Sequence, residues 1–272
     1  MMSRKNVSIL ISSCDNFSDC WDTYFYSFKK YWPDCQYNAF IITNHLDVHN
    51  NFVKAIKVGD DKGWSGNLLC ALNQIKTQYI IYTHEDFWIK KPVDTKVITD
   101  YIKLMDLDQA DYIGLYPGSE PFHSYPLDER LYILDKNTAY RTSLQVALWR
   151  KSIFEELIVE GENPWQFEIQ GTIRSRLYDN RFLSVKRFYD SRKQPYHYGI
   201  DYVCTAINKG RWSRDAKKYV KSEGLKFDFS KRPNEKLWQR TYLFGKIIHA
   251  KNIFNNYKRL FVSKLFSTFK VF

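Results

Sequence analysis

Along the chain, short runs of β-branched and aliphatic residues alternate with stretches whose apolar positions recur at helical spacing. Residues 6–12 (NVSILIS) form such a run. A polar turn, SCDN, and a periodic stretch over 17–32 follow, closed by Pro33, so the pattern predicts strand, loop and helix. Residues 37–43 predict a second buried strand closing on Asn44, 53–58 a third, and 64–76, behind Gly63, another helix. Residues 78–83 (QYIIYT) predict a fourth strand that ends at His84, Glu85 and Asp86. After Pro92 the spacing predicts a helix over 93–105, then strands over 110–116, 131–134 and 143–149 around a turn-rich loop at 117–129. Pro164 stands where proline opens a helix, here expected to run to about Tyr178.

This alternation predicts an α/β fold: a mixed sheet flanked by helices, mostly parallel and doubly wound in its first part. Ligands of such sheets sit beyond the carboxyl ends of the strands. Residues 13–16, Asn44 and residues 84–86 are all expected on that one edge. No internal repeat or low-complexity segment breaks the chain, which reads as one domain over 1–240 and a C-terminal extension over 241–272.

Composition adds a direction. The formal net charge is +11, with 41 Lys and Arg against 30 Asp and Glu, so the surface favours anionic partners. Residues 243–272 combine Phe and Leu at helical spacing with Lys and Arg and contain no acid. Such a helix suits an anionic membrane interface, and equally a helix packed back on the domain with its lysines in water. Aromatic content is heavy, at 17%, which serves stacking surfaces as well as cores. The five cysteines include no CxxC pair, so neither a disulfide framework nor a structural zinc is expected, and a reducing cytoplasm is the natural setting. The first residues carry only a short apolar run, and no stretch is long and apolar enough for a membrane span, so neither a signal peptide nor a transmembrane segment is expected.

Carboxylates at the end of a buried strand have a specific use: they hold a divalent cation that neutralises a diphosphate leaving group. Asp86 is the first choice for that role. Glu85 points elsewhere if the strand continues its alternation, and a solvated strand terminus is the plainer account of both. Asp15 or Asn16 would cap the following helix in an ordinary strand-to-helix turn. Ser65 serves equally as a helix cap. Trp165 and Phe167 read as core aromatics, and Glu168 as an acid near a helix N-terminus, unless that segment carries chemistry.

The segment YIIYTHEDFWIKKPVD resembles the metal-binding strand end of GT-A glycosyltransferases, with Glu85-Asp86 in place of an Asp-x-Asp motif. The resemblance covers about residues 6–215. It implies a Rossmann-like nucleotide-diphospho-sugar transferase fold with a helical C-terminal extension. It also implies a divalent metal, Mn²⁺ or Mg²⁺, held by Asp86, Glu85 and a late histidine, His197. The opening NVSILIS-SCDNF and the segment GWSGNL resemble the family's nucleotide site, which assigns Ser12, Asp15, Asn44, Trp64 and Ser65 to the donor, with Arg211 and Arg214 from a basic loop over the diphosphate. The pattern LQxALWRK followed by PWxFExxG resembles capsule and lipopolysaccharide glycosyltransferases. It implies Glu168 as catalytic base, and Trp165 and Gln145 as acceptor contacts.

The function so implied is transfer of a sugar, from a UDP-sugar in the first instance, to a glycan acceptor. That acceptor is expected to be lipid-linked, with the enzyme in the cytoplasm or peripheral on the inner face of the plasma membrane, and no nucleic acid among its partners. The rival is a non-catalytic nucleic-acid- or carbohydrate-binding protein.

Overall fold

The computed structural model describes residues 6–119, 122–179 and 181–236. Two compact units divide the chain, residues 1–206 and 207–272. The expected 240/241 boundary and the extension 241–272 lie outside the described residues.

The first unit opens with β1 (Val7–Ser12), a 3₁₀ turn (Asp15–Cys20), α1 (Trp21–Tyr31), β2 (Asn38–Thr43), β3 (Val53–Lys57), α2 (Gly63–Gln74) and β4 (Tyr79–His84). α3 (Thr95–Asp106), β5 (Tyr112–Gly114), β6 (Phe122–Ser124), β7 (Leu131–Leu134) and β8 (Ala147–Arg150) follow, then α4 (Lys151–Leu157), α5 (Pro164–Arg174) and β9 (Phe182–Val185). A small hairpin, β10 (Phe188–Tyr189) and β11 (Pro195–Tyr196), comes before the segment that leads out of the unit. The turn-rich stretch 117–129, expected as loop, contains β6, whose side chains are exposed as befits an edge strand.

Nine strands form one sheet in the order β3-β2-β1-β4-β8-β5-β9-β7-β6. From β3 to β4 every pairing is parallel. β8 then enters antiparallel to both β4 and β5, so the sheet is mixed, as the sequence pattern predicts. β1 is buried at every position, the signature of a strand covered on both faces.

One face carries Leu10, Ile80, Tyr82 and Trp149, packed with Leu68 and Leu72 of α2, Phe154 of α4 and Phe167 of α5. On the other, Ile9 and Ile81 meet Tyr24, Phe28 and Trp32 around α1. The register sets Ser12 beside His84 and Ile11 beside Ile41, so β1, β2 and β4 end on one edge. Because β8 runs the opposite way, with Ala147 opposite Tyr82, its lead-in at 143–146 reaches that same edge.

The second unit, over its described residues, holds the hairpin β12 (Ile207–Asn208) and β13 (Arg211–Trp212) and then α6 (Arg214–Ser222). Lys209 and Gly210 both have positive φ, as a tight two-residue hairpin turn requires.

Candidate active site

Tyr82 organises the sheet edge. Its ring is buried on the helical face, and its hydroxyl accepts a hydrogen bond from Trp64 Nε1 (2.9 Å) and bonds the Ser12 side chain. Burial raises the phenol's pKa above its usual value, and the carboxylates of Glu85 and Glu168 raise it further while Ser12 and Trp64 oppose them. Both carboxylates therefore act on this one hydroxyl. Of four residues expected at a site, Ser12 and Trp64 bond this hydroxyl and the charges of Glu85 and Glu168 reach it, although Tyr82 itself was not among those expected. The available signal was an aromatic with a polar tip near the carboxyl end of a buried strand.

Glu168 lies in the second turn of α5. The helix starts where the sequence predicts, with Pro164 in its first turn and a capping box in which Asn163 and Gln166 exchange side-chain-to-backbone bonds (3.0 and 2.9 Å). The first turn carries no acid, so helix-dipole compensation does not explain Glu168. Its Oε1 instead accepts from the Leu144 backbone N–H (2.9 Å) and the Ser143 hydroxyl (3.4 Å), at the lead-in to β8. Burial pushes its pKa up, and those hydrogen bonds only partly offset the shift. A carboxylate so placed is a stronger base than an exposed one and keeps a bond that aims it.

Trp165, three residues earlier and so a neighbour on the helix surface, is 68% exposed, while Phe167 is fully buried against Trp64 and Phe154. The core role expected for both aromatics holds for Phe167 alone. An indole left in solvent beside a half-buried carboxylate is free to stack on a ligand. Gln145 is nearby in the β8 lead-in. Its amide oxygen is taken by the Tyr202 hydroxyl and the Cys204 thiol (3.8 Å), which leaves the amide nitrogen for any acceptor contact.

Glu85 and Asp86 are both buried. Asp86 Oδ2 accepts from the Thr205 hydroxyl (2.5 Å), and its backbone carbonyl accepts from Ala206 N (2.9 Å). The segment 200–206 runs beside 86–90, with a bridge between Ile89 and Tyr202 and a stack of Tyr202 on Phe87 at 4.7 Å. Gly199 starts that segment: a Cβ there would lie 1.9 Å from the Leu115 carbonyl oxygen, so only glycine lets the chain approach β5 so closely. Thr205 has φ +61, an uncommon conformation for a β-branched residue and one that needs surrounding contacts to hold it. Neither Thr205 nor Tyr202 was singled out by sequence, because their roles depend on pairing across more than a hundred positions.

His84 stays neutral over ordinary pH, since burial brings its pKa down to about 4 against an opposing backbone bond at Leu144. Cys14 lies within the influence of Glu85, Asp61 and Asp15, which add to the effect of burial in raising its pKa. The edge thus carries several carboxylates close enough to act on one thiol.

Asp15 and Asn44 do meet, but to tie the chain to itself. The Asp15 carboxylate accepts from the backbone N–H groups of Asn44 (2.8 Å), His45 (2.9 Å) and Leu46 (3.2 Å), and Asn44 Oδ1 accepts from Asp15 N (3.2 Å) while its Nδ2 donates to the Gly59 carbonyl (3.0 Å). Neither Asp15 nor Asn16 caps α1, since the 3₁₀ turn intervenes and no side chain caps the helix. Ser65 is likewise not a cap. α2 starts at Gly63, and the Ser65 hydroxyl is buried without a hydrogen-bond partner.

His197 is not grouped with Glu85 and Asp86. It packs against Tyr116 (5.4 Å), its Nδ1 is buried without a partner, and its pKa is lowered by burial first, with Asp201 opposing and Lys91, Arg187 and Lys90 adding to the fall. Among the described residues no three His, Cys, Asp or Glu side chains cluster as a metal site. Mg²⁺ or Mn²⁺ on phosphate substrates commonly uses one or two carboxylates together with the phosphates, and Glu85 and Asp86 are the two buried carboxylates after β4. Arg211 and Arg214 belong to the second unit and are not on a loop: Arg211 is in β13, bonded to the Asn234 carbonyl (3.4 Å), and Arg214 opens α6.

No family model and no curated protein matches the chain. Among solved structures it is similar to S. aureus TarS 1-349, at 12% identity over 66% of this chain and 58% of that one, with a TM-score of 0.46. The same protein in complex with UDP-GlcNAc gives 12%, 70%, 61% and 0.43, and the mannosyltransferase PcManGT from Pyrobaculum calidifontis, in complex with GDP-Man and Mn²⁺, gives 10%, 77%, 59% and 0.46. The chain spans about three fifths of the length of these structures. At such identities nothing about donor or acceptor passes from them to this chain.

Proposed function

We propose that this chain is a glycosyltransferase that moves a sugar from a nucleotide-diphospho-sugar, a UDP-sugar in the first instance, to a lipid-linked glycan acceptor in the synthesis of a surface polysaccharide such as capsule or lipopolysaccharide. The observation that carries the reading is the convergence on one sheet edge of the buried Glu85-Asp86 pair, the Tyr82 hydroxyl and the raised-pKa carboxylate of Glu168.

In this reading Glu168 takes the proton of an acceptor hydroxyl as that oxygen attacks the anomeric carbon. The bond from the anomeric carbon to the diphosphate breaks, and its electron pair leaves with the nucleoside diphosphate. Attack from the face opposite the leaving group inverts the anomeric centre. Glu85 and Asp86 are the residues that would hold Mg²⁺ or Mn²⁺, which supplies charge neutralisation to the departing diphosphate. Thr205 keeps the Asp86 carboxylate in place. Trp64 and Ser12 line the donor side, and Trp165 presents an open ring to the acceptor.

A thermal-shift panel of nucleotide sugars with and without Mn²⁺ tests this, using the intact chain and Asp86→Asn. A nucleotide sugar that raises the melting temperature only with metal, and not in Asp86→Asn, is the expected result. Stabilisation by single-stranded oligonucleotides, with none by any nucleotide sugar, would favour a nucleic-acid-binding protein and overturn the proposal.

A further inference from the structure

From the end of β9, which runs parallel to β4 and so ends on that same edge, residues 186–198 form the β10–β11 hairpin, in which Phe188 pairs with Tyr196 and Tyr189 with Pro195. Its tyrosines reach solvent: Tyr189 is 64% exposed, Tyr196 38% and Tyr198 40%, while Phe188 is half-buried. Phe188 and Tyr196 share one face and Tyr189 the other, since partners across a ladder lie on the same side and neighbours along a strand do not. Lys186, Arg187, Arg192 and Lys193 flank these rings along the chain, Arg192 paired with Asp190 at 3.5 Å. Asp190, the one acid in the segment, is used in the turn, where its carboxylate accepts from the N–H groups of Arg192 (2.9 Å) and Gln194 (2.8 Å). Among the described residues Lys186, Arg187 and Lys193 form no ion pair.

We infer that this hairpin is a contact for an anionic lipid surface. Its uncompensated cations are complementary to negative headgroups, and tyrosines are favoured at the headgroup level, where one end of the ring is apolar and the other wet. On the Phe188–Tyr196 face the ring geometry disfavours a stacked polymer, while Tyr189 on the other face is exposed. A nucleic acid or glycan needs open ring faces to stack on, but Phe188 and Tyr196 stack on each other (5.5 Å, 24°) and Tyr198 stands edge-on to both. Aromatic residues on both faces of a thin ribbon, with Arg192 and Lys193 at its tip, suit edge-on entry into a headgroup layer, which meets both faces at once.

Hydrogen–deuterium exchange on the full chain, without nucleotide sugar, tests the inference with phosphatidylcholine vesicles lacking or containing phosphatidylserine. The expected result is slowed exchange over 186–198 with the anionic vesicles alone. Co-flotation should weaken about tenfold or more in Arg187→Gln/Lys193→Gln, two exposed cations for which no ion pair forms among the described residues, at roughly fivefold per basic residue near the surface. Tyr189→Ser should also weaken it, and both variants, being confined to exposed side chains, should melt at the wild-type temperature. Unchanged exchange in the hairpin would overturn the inference even if the chain floats with vesicles. So would protection of the hairpin by an acidic polysaccharide or a single-stranded oligonucleotide but not by vesicles. Since no sugar donor is present, the outcome is independent of whether the chain transfers sugar.

Discussion

On the parallel half of the sheet, Asp15 and Asn44 hold each other and the backbone after β2, so the polar groups at those strand ends are occupied by the protein itself. Across β4, where β8 reverses direction, Glu168 keeps a raised pKa with bonds to one of its oxygens, and Trp165 stands in solvent. Both regions were expected to touch ligand. Asp15 and Asn44 show that polar residues at the carboxyl ends of strands can serve to close the edge. Chemistry is better sought where burial leaves a group with unmet capacity.

Glu168→Gln breaks the comparison most strongly. As a general base its loss should lower kcat by roughly 10²–10⁴-fold while leaving donor affinity nearly unchanged. In the intact protein, activity should fall on the acid side at a pH above the ordinary carboxylate range, because the group must be ionised to accept a proton. Stability carries the opposite sign. The folded state holds this proton more tightly than the unfolded chain, so the contribution is fully present below the unfolded pKa and is lost as pH rises through the folded one. Urea unfolding at pH 5 and pH 8 should therefore show a smaller pH dependence in Glu168→Gln than in wild type. Unchanged turnover in this variant would remove Glu168 from the reaction.

Asp15→Ala tests the other half. Three backbone N–H groups lose a charged acceptor, which should cost about 2–3 kcal/mol in denaturant unfolding, since bonds to charged groups are worth roughly 1.5–3 kcal/mol each and water recovers part of the loss. Donor affinity, measured where the variant is still folded, should change less than stability does. If nucleotide binding vanished with stability intact, the strand end would belong to the ligand, and the contrast between the two halves would collapse.

The parallel half was readable because its signals are local. The buried run 7–12 and the strand ending at His84 each announce themselves within a few residues, and parallel pairing then places their ends on one edge without further information. β6 was missed because a three-residue exposed edge strand has no apolar alternation to read. In the site, Glu85, Asp86 and Glu168 were legible as residue types. Which of them share an environment was not, since Tyr82 and Glu168 are joined only by the antiparallel entry of β8. Gly199 was passed over in the sequence, where nothing local names Leu115 as the partner of its close approach.

Trp165→Ala should have the smallest effect on the fold and the most selective effect on function. With the indole mostly in solvent, and with Asn163 and Gln166 still capping α5, stability should change by about 0.5 kcal/mol or less. If the open ring is the acceptor's stacking surface, KM for acceptor should rise several-fold while kcat at saturating acceptor and donor hydrolysis stay near wild type. Trp165→Tyr should restore part of the loss, because a smaller aromatic still offers a face. A fall in kcat with acceptor KM unchanged would instead place Trp165 in the alignment of Glu168, three residues along the same helix surface. The reactive half of the sheet would then reach one turn closer to solvent than the Glu168 carboxylate alone implies.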